Sequence, residues 1–387
     1  MKRLVPSLLL VFGLYFPSTV STRISMFSAL AYVVCIALLG SIWLQNNGHI
    51  PFFKCLALSS IVLLPLLFTA LSPLDTITLG AAAGYLVLSI LLMVNLKELT
   101  ISPRLWIAVN VINIAAGIGI VLGVNAVNNI LLNHYATAYD DLLPMMLEMH
   151  KPVLTFGTHS LAAFFLYLFF WINLEAFKAH GRKLFLALAF CHLLLVLCLS
   201  SVSGLVLFLV GFAQLGHLAL KPVRHKVLWA YAVLCLVLCT AAFSNMAVDF
   251  TPARDAAKEM LSNRDSGFVG RFLSDGTMHY DLEFISQHPF SPVGFSFREG
   301  FMFGDSGWVE YMLRGSIPLL VLIFGGLYYF LRRNLVSRNH AYFLFGALVF
   351  FEVGMTTLTF IRMLYLLPVF VIVLNNVNSW SAPSNPA

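Results

Sequence analysis

Charge is what this chain has least of. Only 10% of its 387 residues are Asp, Glu, Lys or Arg, against 60% hydrophobic residues. A soluble protein of this length alternates apolar and polar positions, and this one does not, which excludes an ordinary water-soluble fold. Cysteine is scarce as well. The six present (Cys35, Cys55, Cys191, Cys198, Cys235 and Cys239) all fall inside apolar runs, and none has metal-site spacing. They read as small packing residues, Cys235 and Cys239 included although they share a helix face. There is no internal repeat, low-complexity tract or linker, so residues 1–387 are expected to form a single integral membrane domain.

What the chain has instead is a series of apolar runs of 16 to 22 residues. Each is long enough to cross the roughly 30 Å hydrocarbon core of a bilayer as a helix. The runs lie near 4–20, 25–44, 55–71, 76–95, 105–125, 157–178, 183–199, 203–220, 226–246, 316–332, 340–355 and 357–376. The expectation is therefore an all-α polytopic membrane protein with about twelve transmembrane helices. Lys2 and Arg3 before the first run suggest a signal peptide, but no small-residue cleavage site follows and a second run begins almost at once. The first run is expected to be retained.

Basic residues orient the bundle. With the N-terminus inside, Lys2, Arg3, Lys54, Lys97, Arg104, Lys178, Arg182, Lys183, Lys221, Arg224, Lys226, Arg332, Arg333 and Arg338 all fall on the cytoplasmic side. That is the positive-inside pattern, with both termini cytoplasmic. It accounts for most of the net charge of +6 and implies no nucleic-acid partner.

Two outer segments break the apolar pattern, 126–156 and 247–314. The second carries ten of the seventeen acidic residues and six of the twenty-three basic ones. Long loops of this kind usually carry function. Within it, "TPARDAAKEML" offers Thr251 as an N-cap and Pro252 at the first helical position. "GTMHYDLEFISQHP" puts Met278, Leu282 and Ile285 on one helical stripe that stops at Pro289. "SPVGFSF" reads as a turn at Pro292 and Gly294. "DSGWVEYMLRG" then restarts a helix capped by Asp305 or Ser306, with Glu310 and Arg314 as i,i+4 partners. The expected picture is a cap of short helices over the outer mouth of the bundle.

These residues carry a resemblance. "GRFLSDGTMHYDLEFISQHPFSPVGFS", followed by "DSGWVEYMLRGSIPLL", resembles the large periplasmic loop of the O-antigen polymerase and ligase superfamily. The Asp-Ser-Gly form is more similar to the Wzy-type polymerases than to the ligases, which usually have His-Asn there. The motif covers about 50 residues, and the topology with one dominant late outer loop covers the rest. One departure stands out: the mid-chain stretch "LSSVSGLVLF", Leu199 to Phe208, lacks the Arg that the family often carries there.

The resemblance implies a GT-C-like architecture in the bacterial inner membrane, with a periplasmic active site in the 247–314 loop. The implied substrate is an oligosaccharide repeat unit on undecaprenyl diphosphate, polymerised without metal or other cofactor. A chain-length regulator is an implied partner. A departing lipid diphosphate suits guanidinium groups, which stay charged and bind phosphate through a planar fork. Arg271 matches the family's loop arginine and is a catalytic candidate; Arg298 and Arg314 are diphosphate-binding candidates, with Arg254 and Arg264 behind them. Salt bridges within the loop are the plainer account of all five. The attacking hydroxyl needs a proton acceptor, for which Asp305, Glu310 and His288 are candidates. Their plainer roles are helix cap, partner of Arg314 and packed residue. Asp140-Asp141 is too weak a motif to imply a metal site.

Trp308 and Tyr311 are the aromatics singled out for stacking on a glycan, although interfacial aromatics are common in general. Two intramembrane charges lie near the outer ends of their spans: Glu352 and Arg362. Such residues are costly in lipid and usually paired, so a mutual ion pair is the first expectation. Service of Arg362 at the diphosphate, in place of the missing mid-chain Arg, is the second. The rival functions are an O-antigen ligase using a lipid A core acceptor and a non-enzymatic transporter of lipid-linked sugars. The transporter is disfavoured by the nearly charge-free spans.

Overall fold

The computed structural model describes residues 2–16, 25–45, 52–71, 76–77, 79–139, 142–219, 278–297, 301, 303 and 306–380. The expected span 226–246 lies outside them, as do Asp140, Asp141, Arg254, Arg264, Arg271, Arg298 and Asp305.

The described chain is almost wholly α-helical: α1 (Leu4–Tyr15), α2 (Ser25–Gln45), α3 (Phe52–Leu71), α4 (Leu79–Met93), α5 (Pro103–Val121), α6 (Asn125–Tyr139), α7 (Leu142–Glu148), α8 (His159–His180), α9 (Lys183–Cys198), α10 (Val202–Ala219), α11 (His279–Gln287), α12 (Gly307–Asn334), α13 (Arg338–Phe351) and α14 (Ile361–Asn376). Among the described residues five segments are long and apolar enough to cross a bilayer: Lys54–Leu71, Pro103–Val121, His159–His180, Gly307–Asn334 and Ile361–Ser379. Shorter apolar helices fill the places of most other expected spans.

The differences in boundary have local causes. α1 stops at Tyr15 because Phe16 precedes Pro17 and takes an extended conformation (ψ 130°). α4 starts later than expected because Thr76–Ile77 pairs antiparallel with Ser296–Phe297, forming strands β1 and β2. The 126–156 segment contains α6, α7 and a 3-10 turn, Leu154–Phe156.

α8 and α14 are buried almost all round, which is why both are apolar on every face. α1 packs on α14, α9 and α10 on α8, and α3 and α4 on α12. The outward faces of α3 and α10 remain strongly apolar, with Leu63, Leu67, Leu71 and Leu209 exposed. Contiguous exposed leucine of this kind belongs against lipid rather than water.

The polar contacts sort by end. At one end Lys2 pairs with Glu98, and Glu175 accepts from Lys178 and His340. Here the 94–101 connection is clamped by two asparagines. Asn334 Oδ1 accepts from Leu96 N (2.6 Å) while its Nδ2 donates to Val94 O (3.1 Å). Asn376 does the same for Ile101 N (2.8 Å) and Leu99 O (3.2 Å). Each amide stands in for a strand partner, satisfying a buried donor and acceptor at once. At the other end lie the end of α1, residues 123–156, α11 and the start of α12.

Asn334→Ala and Asn376→Ala should each cost about 1–3 kcal/mol by orphaning one amide and one carbonyl. The check is thermal unfolding of the purified protein in detergent. An unchanged Tm in both would show that the clamps contribute nothing.

Candidate functional site

The start of α12 is where the sequence candidates gather. Ser306, not the neighbouring Asp305, caps the described helix: its hydroxyl accepts from Val309 N. Gly307 N donates to Glu352 O (2.8 Å). A Cβ at Gly307 would lie 1.7 Å from Glu352 Oε2, so only glycine fits beside that carboxylate. Glu352 itself is completely buried. Its Oε2 accepts from the Tyr311 hydroxyl (2.6 Å), and its Oε1 from Thr357 N (2.7 Å), Leu358 N (2.7 Å) and the Thr357 hydroxyl. The positive end of the α12 dipole adds to these donors. A buried carboxylate is tolerable only with such a set.

One turn further, Arg314 Nε meets Glu310 Oε1 at 3.0 Å, both side chains being buried. Arg314 Nη1 donates to Gly294 O (2.9 Å), and the guanidinium lies 4.2 Å from the centroid of Phe303. The expected turn at Gly294 is present, with φ 63°. Glycine is needed for space as well, since a Cβ would stand 2.3 Å from Pro65 O on α3. The turn is fastened by Phe295 N to Thr69 Oγ1 (2.7 Å) and Val293 N to Leu313 O (2.7 Å). Met278, Val293, Phe301, Val309 and Leu313 form a small core of their own beneath it. Residues 278–297, 301 and 303 and the start of α12 thus form a packed unit on the end of the bundle.

α12 breaks where it leaves this unit. Gly315 and Ser316 are non-helical, and Ser316 sits at φ 60°, ψ −166°, a region almost confined to glycine. Pro318 is the local cause, since its ring crowds the carbonyl of Arg314 and it has no N–H to offer. The strained Ser316 hydroxyl is bound to Pro289 O, which ties the end of α11 to the break.

Glu310, Arg314, Trp308 and Tyr311 therefore share one short helical segment, but in different settings. Tyr311 is fully buried between Tyr85 and Phe324. It offers no face to a glycan, and its role is to donate to Glu352. Trp308 is partly exposed, its ring tilted against Phe324 and its Nε1 donating to Val349 O (3.0 Å). His288 is exposed at the end of α11.

The expected Glu352–Arg362 ion pair is absent, and among the described residues neither meets a charged partner. Arg362 instead caps α1. Its Nη1 donates to Gly13 O (3.1 Å) and Leu14 O (2.9 Å), and its Nη2 to Phe16 O (3.3 Å). Thr155 and Tyr135 hydroxyls take the remaining turn through Leu14 O and Tyr15 O. A helix C-terminus carries orphan carbonyls and partial negative charge, which a planar guanidinium suits. Those bonds use its terminal nitrogens, so the diphosphate contact expected of Arg362 has no support in this geometry. The signal was there in the burial of a lone Arg, but its partners are some 350 positions away.

No family model, curated protein or solved structure matches the chain. Among the described residues no group of three or more His, Cys, Asp or Glu is placed to hold a metal ion. Sequence reasoning also missed a buried polar set between α5 and α8. Trp106 Nε1 donates to Asn173 Oδ1 (3.0 Å) and Asn173 Nδ2 to Asn110 Oδ1 (2.6 Å). Asparagines in apolar helices were the available sign.

Gly307 and Glu352 should be energetically coupled. Gly307→Ala alone should cost more than the about 1–3 kcal/mol of ordinary overpacking, because it displaces the carboxylate from its donors. In a Glu352→Ala background the same change should cost far less. A thermal-stability double-mutant cycle measures this, and additive losses would contradict the contact.

Proposed function

We propose that the chain is a membrane glycosyltransferase of the polysaccharide-polymerase type, acting at the end of the bundle opposite its clamped basic end. The observation that carries this is the buried Glu310–Arg314 pair, held in a separately packed cap immediately before a strained break in α12. Ionised side chains buried at the mouth of an apolar bundle are expensive and usually functional, and strain of the Ser316 kind clusters at functional sites. The resemblance of the same residues to the periplasmic loop of Wzy-type polymerases supplies the reaction class.

The donor is a glycan on undecaprenyl diphosphate and the acceptor a sugar hydroxyl of a second lipid-linked repeat unit, met at the periplasmic face of the bacterial inner membrane. A glycosidic bond forms from the hydroxyl oxygen to the donor's anomeric carbon. The bond from that carbon to the diphosphate oxygen breaks, and the diphosphate leaves with the electron pair. The hydroxyl proton passes to a carboxylate, Asp305 or Glu310, or to His288. Arg271 and Arg298 face the leaving diphosphate as charged forks. Arg314 positions the turn at Gly294 and fixes the Glu310 carboxylate in place. Lipid enters from the side of the bundle and polymer leaves outward.

A transporter of lipid-linked sugars draws on the Trp106–Asn110–Asn173 set, since polar side chains inside the bundle are what a translocation path requires. That set is neutral and its hydrogen bonds close on one another, which favours a packing role.

The test is the surface polysaccharide ladder of the source strain, deleted for this gene and complemented at matched membrane levels. Deletion should leave single repeat units, and Arg271→Ala or Asp305→Ala should lower polymer output by about 100-fold or more. Long chains accumulating on the carrier lipid would identify a ligase instead. A ladder unchanged by deletion would exclude both.

A further inference from the structure

We infer that the exposed face of α11 is a sugar-binding subsite, taking one neutral pyranose ring of the glycan. This rests on the polymerase function proposed above and assigns the glycan contact to residues other than Trp308 and Tyr311. Helical spacing puts Tyr280, Glu283, Phe284, Gln287 and His288 along one side of α11, where they line a half-open cleft of about 230 Å³. The opposite side faces the cap, with Met278 and Asp281 fully buried.

The chemistry of the lining selects the ligand. Tyr280 and Phe284 both rest against Phe301, at ring-centroid distances of 5.3 and 5.1 Å, and Phe284 lies 4.9 Å from His288. The rings are therefore held in place before any ligand arrives, which lowers the ordering cost of binding. Beside them Gln287 Nε2 donates to Glu283 Oε1 (3.0 Å), and His279 Nε2 stands 3.7 Å from Glu283 Oε2. The carboxylate and amide keep unused lone pairs and one N–H for hydroxyl groups. An amphipathic aromatic edge with planar polar groups matches the apolar face and hydroxyl rim of a sugar ring.

Two other occupants fit less well. Among the described residues the lining holds no Lys or Arg, and Glu283 would repel a diphosphate or an anionic lipid headgroup. Drug-sized ligands occupy pockets of about 300–1,000 Å³, so this cleft suits a single ring and not a whole repeat unit. Ser316 bound to Pro289 O joins the subsite directly to the break in α12, beside the Glu310–Arg314 pair. A sugar held on α11 would thus lie at the edge of the proposed reaction centre.

The experiment uses the full-length protein in nanodiscs. The probe is the repeat-unit oligosaccharide released by mild acid from the source strain's carrier lipid. Saturation-transfer NMR should detect binding to wild type. Tyr280→Ala and Glu283→Gln should each weaken it by about tenfold, equivalent to about 1.4 kcal/mol. Hydrogen exchange of residues 279–288 should slow only when the oligosaccharide is added. Equal binding by wild type and both variants, in a protein that still polymerises, overturns the subsite and leaves the polymerase standing. Protection of 279–288 by the lipid bilayer alone identifies a membrane-contact helix and also overturns it. A wild type that neither binds the oligosaccharide nor makes polymer removes the parent function and the subsite together.

Discussion

A buried carboxylate, Glu352, is the interaction on which the end of the bundle around α11 and the start of α12 depends. In an apolar bundle every polar group needs an internal partner, and Glu352 finds four donors on three residues. Tyr311 comes from α12, and Thr357 and Leu358 come from the turn before α14. The main-chain oxygen of the same residue receives Gly307 N. One side chain thereby fixes the start of α12 against the end of α13 and the entry to α14. Everything further out follows from that placement: the Glu310–Arg314 pair, the turn at Gly294 and the small core under α11. The glycine of the Asp-Ser-Gly motif has a structural reason as well, because any side chain at 307 would occupy the space of the carboxylate.

Arg362 solves the opposite problem by the same rule. α1 ends at a partly buried turn whose last carbonyls need donors. The guanidinium and the hydroxyls of Tyr135 and Thr155 supply the donors. Leu154, next to Thr155, is held at φ 52°, an uncommon conformation for leucine that is maintained where the surroundings require it. Two intramembrane charges that the sequence invites one to pair are thus each neutralised locally, one by amides and hydroxyls and one by carbonyls.

The helices were legible because apolar run length is a local property. All but one of the expected spans coincide with a helix, and 226–246 lies outside the described residues. Turn and cap chemistry at Gly294, Pro289 and Ser306 was equally local and came through. Partnerships were not legible. Tyr311 looked like a surface aromatic because its helix is charged, yet its position faces Glu352, 41 residues away. β1 pairs with β2 across more than 200 residues, and the Asn334 clamp reaches back 238 positions. No periodicity in one segment reports what another segment places opposite it. The segment holding Trp308, Glu310, Tyr311 and Arg314 was legible as one region, while the contacts of Tyr311, Glu352 and Arg362 lie with residues far away in the chain.

The proposed function rests on what this end of the bundle holds: a buried Glu310–Arg314 pair, strain at Ser316 and an exposed aromatic cleft alongside. Its most direct trial is reconstitution. The purified chain would be placed in liposomes containing undecaprenyl-diphosphate-linked repeat units and no other protein. The account predicts glycans longer than one repeat together with released undecaprenyl diphosphate. Movement of the lipid-linked donor across the bilayer with no new glycosidic bond would contradict it.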